Sequence, residues 1–170
     1  PLLDRDLAEQ LKKDRINFII HPKSKGSSRE WNLKNYKELI RLLPDEKFRI
    51  FLTGTEGEGT GFRDELKPDG TKVIDLSGKM NLDQLIAFIS KADGLLACST
   101  GPLHLSAALG KPTLGLFPPM RPIHPGRWAP VGMNARYLVS TNSGTHAWVC
   151  SKCRRKKECI AARLRVAVRR

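Results

Sequence analysis

Between Ile16 and Val139 the sequence alternates short apolar runs with amphipathic stretches of helix length, the pattern of βα units built around a parallel sheet. Strands are expected at Asn17–Ile20, Phe48–Thr53, Lys72–Asp75, Gly94–Ala97, Thr113–Phe117 and Arg136–Val139. Between them, Leu33–Leu43 places Leu33, Tyr36, Leu39, Ile40 and Leu43 on one helical face. Leu82, Leu85, Ile86 and Ile89 do the same within Leu82–Lys91, and both faces are expected to cover the sheet. Pro102 starts a short helix that Gly110 ends ahead of Pro112, following the preference for Pro just inside a helix start and Gly just past its end. Residues 5–14 read as a leading helix, and Pro118 to Pro130 as a Pro-rich loop. Internal repeats and low-complexity linkers are absent from the sequence, so one α/β domain with a mostly parallel sheet of about six strands is expected.

Composition supports a globular chain. Its 170 residues are 40% hydrophobic and 28% charged, enough for one domain with a core. No apolar run approaches the roughly 20 residues that cross a bilayer, which excludes a transmembrane helix. Pro1 to Gln10 shows neither a basic start before an apolar core nor an initiator Met, so the expectation is of no signal peptide and of a piece cut from a longer chain. Four cysteines are too few for a disulfide framework, and a reducing compartment fits them better.

Thirty Lys and Arg against 17 Asp and Glu give a net charge of +13, which would suggest a nucleic-acid partner if it were spread evenly. It is concentrated instead. Ser151 to Arg170 holds nine basic residues against the single acid Glu158, which leaves +5 for residues 1–150. This Cys-containing tail reads first as a solvated basic helix or frayed end, next as a contact for an anionic membrane surface, and last as a nucleic-acid arm.

Ligands of open parallel sheets bind beyond the carboxyl ends of the strands, and three loops there carry chemistry. The first, His21 to Arg29, offers Lys23, Lys25 and Arg29 with small residues and hydroxyls that suit an anion, or it is a polar surface loop. The second, Thr53 to Gly59, is glycine-rich but matches neither G-x-G-x-x-G nor a Walker A spacing. In it Glu58 accepts ribose hydroxyls or simply begins a helix, where the dipole favours a carboxylate. The third runs Cys98-Ser99-Thr100-Gly101-Pro102-Leu103-His104, and puts hydroxyls and a glycine directly before a helix start, a site for a diphosphate. Ser99 and Thr100 are equally suited to be N-caps, and His104 to be a structural histidine or a phosphate partner. Cys98 reads as a small buried residue.

In this order the loops resemble the C-terminal domain of glycosyltransferase family 9, the lipopolysaccharide heptosyltransferases. The strongest likeness runs from Asp75-Leu76-Ser77-Gly78-Lys79 through Leu82, Leu85 and Ala92 to Ser99–Thr113 and Leu116-Phe117. His21-Pro22 with Arg29-Glu30-Trp31, and Gly54 with Glu58, match two further family features, and the likeness covers roughly residues 16–140. The resemblance implies the C-terminal half of a two-domain GT-B glycosyltransferase, with residues 1–150 as a Rossmann-like, three-layer domain for a nucleotide-diphosphate sugar such as ADP-heptose. It implies that Ser99, Thr100, Gly101 and His104 hold the diphosphate. Ser24, Lys25 and Arg29 would neutralise its charge, and Glu58 would contact ribose or sugar. The acceptor, lipopolysaccharide core or another lipid-linked sugar, and the general base would belong to an N-terminal domain that this sequence lacks. No catalytic residue and no required cofactor is then expected here, the fragment alone is expected to be inactive, and the setting would be cytoplasmic or peripheral on the inner face of the cytoplasmic membrane. Many members carry Asp at the place of Ser99, Gly at that of Lys23 and Gly-Pro at that of Pro118-Pro119. Losing an acid and gaining a lysine favours phosphate binding, so the departures bear on which sugar is carried.

His146, Cys150, Cys153 and Cys159 give H-x₃-C-x₂-C-x₅-C, a donor set for tetrahedral zinc, although paired C-x₂-C knuckles are the commoner structural pattern and reduced thiols are the main alternative. Two other functions fit the chain less directly: a sugar-nucleotide epimerase of GT-B architecture, and a basic nucleic-acid-binding module, whose tail lacks the aromatics that stack on bases.

Overall fold

The structure, a computed structural model, describes residues 3–66, 72–122, 124–140 and 148–150. In chain order its elements are α1 (Arg5–Gln10), β1 (Ile16–His21), α2 (Leu33–Leu42), β2 (Phe48–Leu52), α3 (Glu56–Thr60), α4 (Arg63–Leu66) and β3 (Val73–Asp75). Then follow α5 (Leu82–Lys91), β4 (Gly94–Cys98), α6 (Gly101–Ala108), β5 (Thr113–Phe117), α7 (Pro125–Trp128), β6 (Ala135–Ser140) and β7 (Trp148–Cys150). The strands form one sheet in the order β3-β2-β1-β4-β5-β6-β7. Every pairing from β3 to β6 is parallel, in registers such as Phe18↔Ile50 and Phe18↔Gly94. β7 adds an antiparallel edge through Val139↔Val149, a strand the apolar pattern does not announce.

The strands are apolar throughout because both of their faces are covered. Phe18, Ile20, Ile50, Leu52, Leu96, Cys98, Leu114 and Leu116 point to one side, where Trp31, Tyr36, Leu39 and Ile40 pack on them. Their alternating neighbours Ile19, Phe51, Leu95, Ala97 and Phe117 point to the other, against Phe88 and Ile89 of α5 and Leu103 of α6. Edge-to-face rings lock each side, Trp31 on Tyr36 at 4.8 Å between centroids and Phe51 on Phe88 at 5.0 Å. The result is a three-layer α/β domain, as the periodicity indicates.

Local chemistry sets the boundaries. The leading helix ends at Gln10, four residues short of the expected Asp14, because the Lys12 amide donates to Asn17 Oδ1 while Asn17 Nδ2 donates back to the Lys12 and Arg15 carbonyls. Asp93 Oδ2 in turn accepts from the Asn17 amide at 2.7 Å and ties the start of β1 to that of β4. α5 opens on a capping box between Asn81 and Gln84. α6 closes in a Schellman turn at Gly110, φ +70°, with Lys111 N–H on Ser106 O and Gly110 N–H on Ala107 O, both at 3.0 Å. Lys72 is buried and its ammonium donates to the Ile40 and Leu43 carbonyls and to Asp45 Oδ1, so one cation closes the C-terminal end of α2. Within the stretch read as a loop, Pro125–Trp128 forms the single turn α7, capped by His124 Nδ1 on the Gly126 amide.

Candidate functional site

The strand order reverses between β1 and β4: the chain leaves β1 toward α2 on one face and leaves β4 toward α6 on the other. Two loops that depart in opposite directions leave a crevice between them, the ligand position of doubly wound sheets. A cleft of about 550 Å³ opens there, walled by His21 and Ser24, Lys25 and Ser27 after β1, by Thr53–Glu56 and Glu58 after β2, by Gly78, Met80–Leu82 and Leu85 after β3, and by Thr100–Pro102 after β4.

The first loop is held by a residue that sequence reasoning passed over. Glu30 accepts from the Ser24 amide at 2.9 Å and from Lys23 Nζ at 2.9 Å, so Lys23 is neutralised within the loop rather than added to an anion site. The Ser24 hydroxyl lies 2.8 Å from the Ser28 carbonyl and is spent on the loop's own shape. Between these anchors Lys25 at φ +48° and Gly26 at φ +78° form the two left-handed positions of a tight turn, closed by Ser27 N–H on Ser24 O. The turn leaves Lys25 exposed at the cleft, and Ser27 Oγ reaches the Ser99 carbonyl at 3.3 Å, which joins the first loop to the third. Arg29 is exposed outside the cleft lining.

The third loop presents an open helix end. Thr100 is the N-cap of α6, but its side chain makes no capping bond and its hydroxyl donates to the Cys98 carbonyl. The amides of Leu103 and His104 both turn back onto the Thr100 carbonyl, and Pro102 has none, so of the cluster read from the sequence the Ser99, Thr100 and Gly101 N–H groups are left without a hydrogen bond among the described residues, and of these Gly101 stands at the helix start. Gly101 faces open space: a Cβ built on it meets no atom within 4 Å. Ser99 and His104 are half-buried and do not line the cleft.

On the opposite wall Glu58 plays the helix-opening role left open above. Its Oε2 accepts from the Thr55 amide at 2.8 Å and hydroxyl at 2.9 Å, while its own amide returns to Thr55 Oγ1. Burial pushes its carboxyl up, and these bonds, with the charges of His21 and Lys25, outweigh burial and hold it below the usual range. His21 is buried on the cleft floor, its Nδ1 3.0 Å from Thr53 Oγ1. Desolvation lowers its basicity more than Glu58 raises it, so the imidazole is neutral at pH 7. Met80, Leu82 and Leu85 complete an apolar side; periodicity places Leu82 and Leu85 on a helix face and leaves Met80 unread, because exposure to a cleft leaves no mark on periodicity. One side of the cleft therefore offers an open amide and a cation, the other carboxylates and apolar surface.

Of the suggested zinc donors, Cys150 contributes its backbone to β7, and His146, Cys153 and Cys159 lie outside the described residues, as does the whole basic tail 151–170. Among the described residues no group of three His, Cys, Asp or Glu is placed to hold a metal ion, and no helix is long and apolar enough to cross a membrane.

The family model described as glycosyltransferase family 9 (heptosyltransferase) matches residues 3–160. Over 108 residues the chain is 27% identical to the lipopolysaccharide core heptosyltransferase OpsX of Haemophilus influenzae, covering 61% of this chain and 30% of that protein. Among solved structures it superposes on the Escherichia coli ADP-heptose lps heptosyltransferase II with a TM-score of 0.73 and 21% identity, across 99% of this chain and 52% of the other. It superposes equally on the E. coli heptosyltransferase WaaC with ADP, at 0.73 and 20% identity, across 95% and 47%. The chain spans about a third of the length of the curated relatives it matches and about half of these solved chains. It belongs to glycosyltransferase family 9.

Proposed function

We propose that this family 9 chain is the donor-binding half of a glycosyltransferase, which holds a nucleoside-diphosphate sugar, ADP-heptose by likeness to its relatives, for transfer to a lipopolysaccharide core acceptor. The observation that carries the reading is the uncapped N-terminus of α6 opening at the switch point of the sheet, with Lys25 on the same side of the cleft. An N–H and the positive end of a helix favour a diphosphate, and in sugar transfer the diphosphate is the leaving group whose charge grows as the bond breaks. Carboxylates and the apolar side chains of Met80, Leu82 and Leu85 suit the hydroxyl-bearing and apolar nucleoside end of the same molecule.

On this reading the chain binds, orients and stabilises the leaving group, while the acceptor and the base that deprotonates it come from a second domain. The greater length of the relatives leaves room for one. The acceptor would bring the enzyme to the cytoplasmic face of a membrane, where the basic residues of 151–170 favour anionic lipid. Calorimetry of the chain with ADP and UDP tests the proposal. Saturable binding of ADP at sub-millimolar concentration, weaker for UDP, is expected. No heat from either nucleotide at about 1 mM, with the domain folded, corresponds to less than about 4 kcal/mol of binding free energy and would overturn it.

A further inference from the structure

Two walls of the cleft, the start of α3 and the turn after β3, meet behind it at Arg63 of α4. This residue does not line the cleft. Its Nε donates to Asp75 Oδ2 at 2.5 Å, and its Nη2 donates to Glu56 Oε1 at 3.0 Å and lies 3.3 Å from Ser77 Oγ. The other oxygen of Asp75 takes the Ser77 amide at 2.9 Å and the Ser77 hydroxyl, so one guanidinium ties the last residue of β3, the turn that follows it and the first turn of α3.

The fit around this knot leaves no slack. A Cβ on Gly59 would fall 2.3 Å from Ser77 Oγ and 2.9 Å from an Arg63 nitrogen. Gly78 holds φ +73°, and a Cβ there would fall 2.3 Å from Glu56 Oε2. The walls touch through these glycines, and Gly78 N–H also bonds the Gly54 carbonyl at 2.9 Å. From the joint, one wall runs to Thr55 and Glu58 and the other to Met80, Asn81 and Leu82. The opposite side of the cleft, at Lys25 and Gly101, takes no part in the knot.

We infer that Arg63 is a positioning residue for the nucleoside end of the donor: it sets the spacing of the two walls that receive base and ribose, and leaves the diphosphate end untouched. A bidentate guanidinium suits this task better than an ammonium, because three acceptors on three segments must be held at once. The inference rests on the donor reading above, and the test separates the two. Calorimetry compares the unaltered chain with Arg63→Met and Arg63→Lys, using ADP and inorganic pyrophosphate as probes and thermal melting as the check on folding.

Arg63→Met is expected to weaken ADP binding by about tenfold while pyrophosphate stays within about twofold, and Arg63→Lys to fall between. Loss of general stability would not split the two probes in this way. ADP affinity unchanged in Arg63→Met, or an equal fall for both probes, overturns the inference and leaves the donor reading standing. An unaltered chain that binds neither probe overturns both. If Arg63→Met does not fold, the same comparison is made on Asp75→Asn, which removes the charged partner of the guanidinium without touching the cleft lining, and there a similar split supports the inference and its absence overturns it.

Discussion

Replacing Gly101 by Val separates binding from folding more cleanly than any other change at the cleft. The glycine lacks the positive φ that would exclude a side chain, and a Cβ there meets nothing within 4 Å, so the variant folds without strain. Helix propensities of Gly and Val differ by about 0.5 kcal/mol or less, which moves Tm by about 2 °C at most. The branched side chain, however, stands at the helix N–H left open for an anion. A hydrogen bond to a charged group contributes about 1.5–3 kcal/mol, so blocking it should weaken ADP binding by roughly 10- to 150-fold. Titration calorimetry beside a thermal melt reads both quantities. ADP affinity within twofold of the unaltered chain, in a variant with unchanged Tm, would refute the placement of the diphosphate at α6.

Two further changes test the frame around the site. Lys72→Met keeps the buried stem but strands the Leu43 carbonyl and takes one of two donors from the Ile40 carbonyl, which keeps the Leu43 amide, at a cost of about 1–3 kcal/mol and a fall in Tm on the order of 2–10 °C; a melt within about 1 °C of the unaltered chain would remove the ammonium from the account of α2. His21 resists protonation when folded but titrates near its ordinary value of 6.5 when unfolded, so below that pH the unfolded chain takes up the proton first and stability declines as pH falls. Asp75 and Glu58 are shifted down, so their stabilisation is present above the ordinary carboxylate values and is lost only in more acid solution. Denaturant titrations from pH 7 to 5 should therefore show a slope that His21→Gln flattens, and an unaltered slope in the variant would show that His21 is not its source.

Much of the frame was legible because parallel strands buried on both faces announce themselves. Gly94–Ala97 and Thr113–Phe117 admit few other readings, and α5 emerges with its expected ends at Leu82 and Lys91. The strand order does not follow from such runs, and with it goes the crevice between β1 and β4. The three loops were recognisable from their glycines, hydroxyls and cations, yet composition could not tell which of those groups would be consumed by the loops themselves. Ser24 and Lys23 turn inward to Ser28 and Glu30, and Glu58 to Thr55, whereas Gly101 stays open. Arg63 escaped notice because its partners sit 7, 12 and 14 residues away, a spacing that belongs to no local motif.

The two halves of the proposed phosphate grip stand on different foundations. Loop one is anchored by Trp31 and Tyr36 beneath one face of the sheet, and the start of α6 by Leu103 against Phe88 beneath the other, so the jaws share the backbone of β1 and β4 and the exposed Ser27–Ser99 contact but not a core. Loosening either interior should blunt a single jaw and leave its opposite number sharp, which would let sequence drift retune the hold on one part of a ligand without disturbing the rest.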